Sequence, residues 1–362
     1  MKATRALPSA GTINSILNVL REVDVRPLRA GAETPFVLAF LSQDVPLAQH
    51  LVDLLYQGLR QHDVPPARVC GAFPLGLPDA PMPTTRHLDA AVIVAREGTD
   101  GNVAELNLLR ELERNGTPTL VCLLADPNRV PPLRHQWLPA SMIVLNGGGP
   151  NGDLIDNHDA TRQLVNAIRG LKAINELALA RHLPAFRESV SRALVDDTAV
   201  ANAVYSFGSG ILETNPVADV PLNMADIVVL TKNQALMAYK IALAMGLSAE
   251  FKQIMPQMAT VVGSGFLLRQ TARGLIGLIP GFGLIPKVAI AFAGTYATGE
   301  VIYRWCAFGE RVTGRALKDT YAHALERGKT FARTLLRRRK KDAHIDDNKP
   351  VTPLLPEPPE EE

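Results

Sequence analysis

Cysteine is scarce: Cys70, Cys122 and Cys306 are the only three in 362 residues, and they lie far apart. An odd, scattered set makes no disulfide framework and has no metal-ligand spacing; it suits a reducing cytosol. Net charge is close to absent, +2, which excludes nucleic acid as an expected partner. Charged residues make up 20% of the chain, below the usual quarter, a hint of extra buried or lipid-facing surface. The N-terminus, MKATRALPSAGTINSILNVLREVD, has no signal-peptide h-region. Its Ile13, Ile16, Leu17 and Leu20 stand at helical spacing and read as a short amphipathic helix. There is no internal repeat.

Catalytic signatures are missing too. Neither H-E-x-x-H, C-x-x-C nor G-x-S-x-G occurs, and the eight histidines are dispersed. Gly263-Ser264-Gly265 lacks the flanking strand and spacing of a nucleophile elbow. The paired acids Asp196-Asp197 and Asp346-Asp347 read as a solvated helix turn and a tail. No catalytic residue, cofactor or metal site is expected, and the chain is not read as an enzyme.

What is present alternates apolar runs with helical periods. Residues 36–41 (FVLAFL), 69–73, 89–95 (DAAVIVA), 119–124 (TLVCLL) and 141–145 (SMIVL) read as strands. Helices are expected over 47–59, 103–113 and 159–180, the last capped by Asp159 or Thr161. Continuous apolar strands separated by helices imply a parallel sheet covered on both faces. Residues 35–180 are therefore expected to form a doubly wound α/β domain, preceded by a helix and linker over 1–34. Residues 185–336 read as an all-α domain, with helices over 186–204, 221–247, 248–268 and 310–336. A tail over 337–362 starts with Arg337-Arg338-Arg339-Lys340-Lys341 and becomes Pro- and Glu-rich, which reads as disorder.

The α/β domain resembles a small GTPase domain, with strand 36–41 first and TLVCLLADP before the guanine-reading loop. The phosphate-binding motif G-x-x-x-x-G-K-[ST] is absent. The loop after the first strand reads SQDVPLAQH and contributes Asp44, which repels phosphate. Leu124-Ala125-Asp126-Pro127 stands where an Asn-Lys-x-Asp motif belongs. The resemblance thus implies a degenerate, P-loop-NTPase-like pseudo-GTPase. Gly328-Lys329-Thr330 imitates the end of a Walker motif but follows a helix. The run 147–152 fits G-x-G-x-x-G but follows the last strand, not the first, and reads as a loop at the carboxyl edge of the sheet.

The most apolar stretch is GLIGLIPGFGLIPKVAIAFAGTYATGEVIY, residues 274–303, broken at Pro280-Gly281, Gly283 and Pro286. Each arm is about half a membrane span. The candidates are a re-entrant or interfacial loop, a buried helical hairpin, and a single kinked span. Leu275, Ile276, Leu278, Ile279, Phe282, Leu284, Ile285, Ile290 and Phe292 would carry membrane contact. Arg273, Lys287 and Arg304 flank the hairpin, and with Arg337, Arg338, Arg339, Lys340 and Lys341 they would meet lipid headgroups.

Residues 215–305 resemble DUF697, a domain found in YcjF-like bacterial proteins and downstream of GTPase domains. The matching pieces include Asp219-Val220-Pro221-Leu222-Asn223, Ala238-Tyr239-Lys240-Ile241-Ala242 with Gly246-Leu247, and Ala272-Arg273-Gly274-Leu275. The others are Ile279-Pro280-Gly281-Phe282-Gly283 and Ala297-Thr298-Gly299. The resemblance implies membrane association without enzyme activity. Three expectations follow. The first is a non-catalytic scaffold at the inner face of the cytoplasmic membrane, bound to anionic lipid and to a true GTPase or to itself as a homo-oligomer. The second is a nucleotide-binding regulator or weak GTPase with a non-standard phosphate loop. The third is a soluble helical scaffold whose hairpin is core.

Overall fold

The computed structural model describes residues 24–59, 70–74, 88–96, 103–125, 141–146, 156–212, 224–248, 250, 284–310, 312 and 314–346, with side chains of 210–212, 224–228 and 340–346 left aside. Helix α1 (Arg26–Glu33) leads into β1 (Leu38–Ser42), α2 (Val45–Tyr56), β2 (Cys70–Pro74), β3 (Ala90–Arg96), α3 (Val103–Arg114), β4 (Thr119–Ala125) and β5 (Ser141–Asn146). The described strands form one parallel sheet in the order β2-β1-β3-β4-β5. This is the doubly wound order whose ligand crevice lies between β1 and β3. Every residue of β1 and the first six of β3 and β4 are buried. The cause is the alternation of side chains across the sheet. Leu38, Phe40, Val92, Val94, Leu120 and Cys122 join a core that includes Leu51 and Leu55 of α2. Ala39, Leu41, Ile93, Val121 and Leu123 pack with Leu108, Leu109 and Leu112 of α3.

Residues 159–180 form two helices rather than the single one expected: α4 (Asn157–Gly170) and α5 (Glu176–His182). Lys172 adopts φ 53°, a left-handed conformation that no helix continues through. Asp156, not Asp159 or Thr161, caps α4, accepting from the N–H groups of His158 and Asp159. Asn175 caps α5 by accepting from Leu177 N–H at 2.9 Å. Then come α6 (Phe186–Leu212), α7 (Met224–Ala244), α8 (Leu284–Phe308) and α9 (Gly314–Asp346). Helix α9 continues ten residues past the expected end at 336 and takes in the basic run. The strand and helix expectations over 1–23, 213–223 and 251–283 lie outside the described residues, as does the tail beyond 346.

The two halves share one core. Phe36 and Phe40 on the sheet side belong to the same apolar cluster as Leu179 of α5, Phe186 and Val190 of α6, and Tyr239 and Leu243 of α7. Two guanidinium groups tie this junction. Arg187, 4% exposed, donates to the carbonyls of Leu59, Ala180 and Arg181. Arg181 donates to Leu243 O and Leu247 O, capping the end of α7. Gly246 closes that end at φ +79°, and a Cβ there would stand 3.0 Å from Arg187 Nη2. Only glycine meets both demands.

The second arm of the expected hairpin is one uninterrupted 25-residue helix, α8, with Pro286 in its first turn. It lies against α6, α7 and α9. Fifteen of its residues are buried, Phe292 and Val288 among them. A helix apolar on all sides suits a protein interior as well as a bilayer. Here the partner is protein: Val288 and Phe292 pack with Ala199, Ala203 and Ala332. Leu284, Ile285 and Ile290 are half-buried; Leu275, Ile276, Leu278, Ile279 and Phe282 lie outside the described residues. Among the described residues no helix is long and apolar enough to cross a membrane. A buried polar lock joins the bundle: Asn202 Nδ2 and Gln234 Nε2 both donate to Thr295 Oγ1, at 2.8 and 3.1 Å, and Asn233 donates to Asn202 Oδ1 at 2.7 Å.

The α6–α8 contact is tight at Gly299. A Cβ there would fall 2.6 Å from Val195 Cγ2 and 3.1 Å from Met237 Cε. Gly299→Ala should therefore destabilise the protein by about 1–3 kcal/mol, and adding Val195→Ala should recover part of the loss. Urea denaturation measures both; a neutral Gly299→Ala would contradict this packing.

Candidate functional site

The β1/β3 crevice at the carboxyl edge of the sheet is the place where this fold class takes ligands. Its polar groups are bonded to one another. Ser42 Oγ donates to Val94 O at 2.7 Å and accepts from Asp44 N–H at 3.0 Å. Asp44 caps α2, its Oδ1 accepting from Leu47 N–H at 3.1 Å. Its Oδ2 accepts from Arg96 Nε at 2.7 Å. Gln43 donates to Glu105 Oε2 at 3.1 Å, and Glu105, in the first turn of α3, is buried.

This arrangement bears directly on phosphate chemistry. A helix N-terminus binds phosphate through free N–H groups and the positive end of the helix dipole. At α2 the Leu47 N–H is taken by Asp44, and Pro46 has no N–H to give. An internal carboxylate sits where the anion would go, and Arg96 neutralises it. Each partner is about one third exposed, so the ion pair contributes at most about 1 kcal/mol; the cap contributes a similar amount. Asp44 was visible in the sequence as an obstacle to phosphate. Arg96 and Glu105 were not singled out, although Arg96 is the first charge after the apolar run of β3.

A second feature lies at the end of β5. A cleft of about 240 Å³ is lined by Asn146, Asp156, His158, Asp159, Arg162 and Gln163, with Leu145 and Ala160 beneath. Gln163 first and Arg162 second hold the Asp159 carboxyl below the usual carboxylate range. Asp156 is committed to its cap. The cleft is smaller than a typical cofactor pocket, and the glycine-rich run 147–152, which follows Asn146 in sequence, lies outside the described residues.

The Walker-like Gly328-Lys329-Thr330 sits inside α9. Gly328 presses on the Ala289 backbone, Lys329 pairs with Glu326 at 2.7 Å, and Thr330 Oγ1 donates to Glu326 O. Among the described residues no group of three His, Cys, Asp or Glu side chains could hold a metal ion. Burial pushes the thiols of Cys122 and Cys306 up to about 12 and that of Cys70 higher still, which makes them poor nucleophiles.

The expected headgroup cations divide. Arg304 donates to Glu300 Oε1 at 2.8 Å within α8, and the same carboxylate accepts from Arg192 of α6 at 2.6 Å, so Arg304 is engaged with protein. Lys287 is half-buried. Arg337, Arg338 and Arg339 are exposed on α9 together with Arg333, and none forms an ion pair among the described residues. Lys340 and Lys341 lie on the same helix; Arg273 is outside the described residues. No family model, curated protein or solved structure matches the chain.

Asp44→Ala should lower stability by about 1 kcal/mol through loss of the cap. Neither GTP nor ATP with magnesium should raise the melting temperature of the intact protein. A ligand at 100 times its Kd would add about 2.7 kcal/mol, so a nucleotide-dependent rise would overturn the occupied-terminus account.

Proposed function

We propose that the chain is a non-enzymatic scaffold that rests on an anionic membrane surface through the cationic end of α9 and offers its α/β domain as a binding module. The observation that carries this reading is charge placement. From Lys329 to Lys341 there are seven Lys or Arg and no acid, and Arg333, Arg337, Arg338 and Arg339 are exposed. Arg333, Arg337 and Lys340 or Lys341 follow helical spacing, one above the other along one side. Cations near an anionic surface contribute roughly 1 kcal/mol each. Because α8 is already occupied by its protein neighbours, the attachment is peripheral and electrostatic rather than an insertion of that helix.

The pseudo-GTPase part of the proposal is supported by the internal carboxylate at the α2 terminus. The resemblance to DUF697 suggests the inner face of the cytoplasmic membrane as the location, and a true GTPase or a second copy as partner. A second reading, a helical scaffold with no lipid contact, is favoured by the burial of α8. Flotation of the intact protein with vesicles separates them. Binding to anionic but not neutral vesicles, abolished by high salt and by Arg333, Arg337, Arg338 and Arg339→Gln together, is the expected result. No flotation under any condition would leave the helical scaffold. Salt-resistant flotation on neutral vesicles would mean that another segment inserts.

A further inference from the structure

The cationic face of α9 is followed in the chain by its electrostatic complement. Residues 347–362, DNKPVTPLLPEPPEEE, carry five acids, Asp347, Glu357, Glu360, Glu361 and Glu362, against one lysine. Resting on the docking surface proposed above, we propose that this acidic segment occupies the face formed by Arg333 and Arg337–Arg339 and competes with an anionic membrane for it.

Helix-dipole stabilisation does not account for the cations. That effect fades beyond the last turn of a helix, whereas Arg333 to Arg339 stand seven or more residues before Asp346, where α9 ends. Nor are they engaged elsewhere among the described residues. Lys329 and Arg327 are paired with Glu326 and Asp196, while the four exposed arginines have no ion-pair partner among the described residues. The neighbouring acids Asp342 and Asp346 are two against the seven cations.

Reach permits the contact. Thirteen helical residues separate Arg333 from Asp346, about 20 Å at 1.5 Å each. Eleven residues separate Asp346 from Glu357, and at about 3.1 Å each in the extended form that proline favours they span about 34 Å. Prolines at 350, 353, 356, 358 and 359 favour that form. The glutamates can therefore lie alongside any of the four arginines. Single exposed ion pairs are weak, but a short tether sets the effective concentration in the millimolar range. Such a contact would mask the face from weakly charged surfaces and yield to strongly anionic ones, giving a threshold in membrane charge.

The test uses the full chain in two measurements. A spin label on Glu362→Cys should broaden the amide signals of Arg333 to Arg339 at low salt and cease to do so at about 0.5 M salt, where the Debye length falls to about 4 Å. The parent protein taken through the same labelling provides the control, because Cys122 and Cys306 are buried but Cys70 is half-buried. In parallel, the variant with Glu357, Glu360, Glu361 and Glu362→Gln should bind phosphatidylglycerol-containing vesicles at least about fivefold tighter than the parent, the lower end of usual coupling strengths. No broadening together with unchanged affinity overturns the proposal and leaves membrane docking intact. Broadening with no vesicle binding by either protein supports the tail contact and overturns the membrane reading instead.

Discussion

A guanidinium buried where three chain segments meet holds the two halves of the protein in register. Arg187 gives its N–H groups to carbonyls of Leu59, Ala180 and Arg181. A buried cation is costly unless its donors are satisfied, so the end of α5, the start of α6 and the segment after α2 are fixed relative to one another. Arg181 extends the constraint to the end of α7 through Leu243 and Leu247. The apolar cluster running from Phe40 to Tyr239 fills the space these contacts define. The sheet and the first helices of the bundle thus share one core, while α8 packs in separate clusters against α6, α7 and α9.

The sheet was legible because its inner strands β1, β3 and β4 are buried on both faces, and such strands announce themselves as unbroken apolar runs. Breaks in helices were harder. Residues 171–175 keep an apolar, helix-compatible composition, and only the left-handed Lys172 and the Asn175 cap divide α4 from α5. The apolar stretch around α8 was found, but its environment was not decided by composition, since lipid and protein interior select the same residues. What decides it is Val195 against Gly299 and Asn202 against Thr295, pairs that are far apart in sequence. The Arg187 and Arg96 contacts were hidden for the same reason: each joins residues brought together only by the fold.

The crevice between β1 and β3 keeps the form of a ligand site while its donors are spent internally. Asp44 and Arg96 neutralise each other at the terminus of α2, and beside them Gln43 donates a hydrogen bond to the Glu105 carboxylate. Free charge is found instead at the far end of the chain, on the last turns of α9. On the proposed reading, recognition has moved from a nucleotide pocket to a surface, with the α/β domain kept as a rigid platform. The buried thiols and the capped helix ends fit such a platform, which needs shape and charge but no reactive group.

The central claim is that α8 belongs to the protein interior. Hydrogen exchange of the intact protein, followed by mass spectrometry with and without anionic vesicles, tests it most directly. Amides of residues 288–307 should exchange among the slowest in the chain, as core helices do, and vesicles should leave that rate unchanged. Rapid exchange across this segment in solution, slowed sharply by vesicles, would show that α8 finds its partner in lipid and would contradict the account.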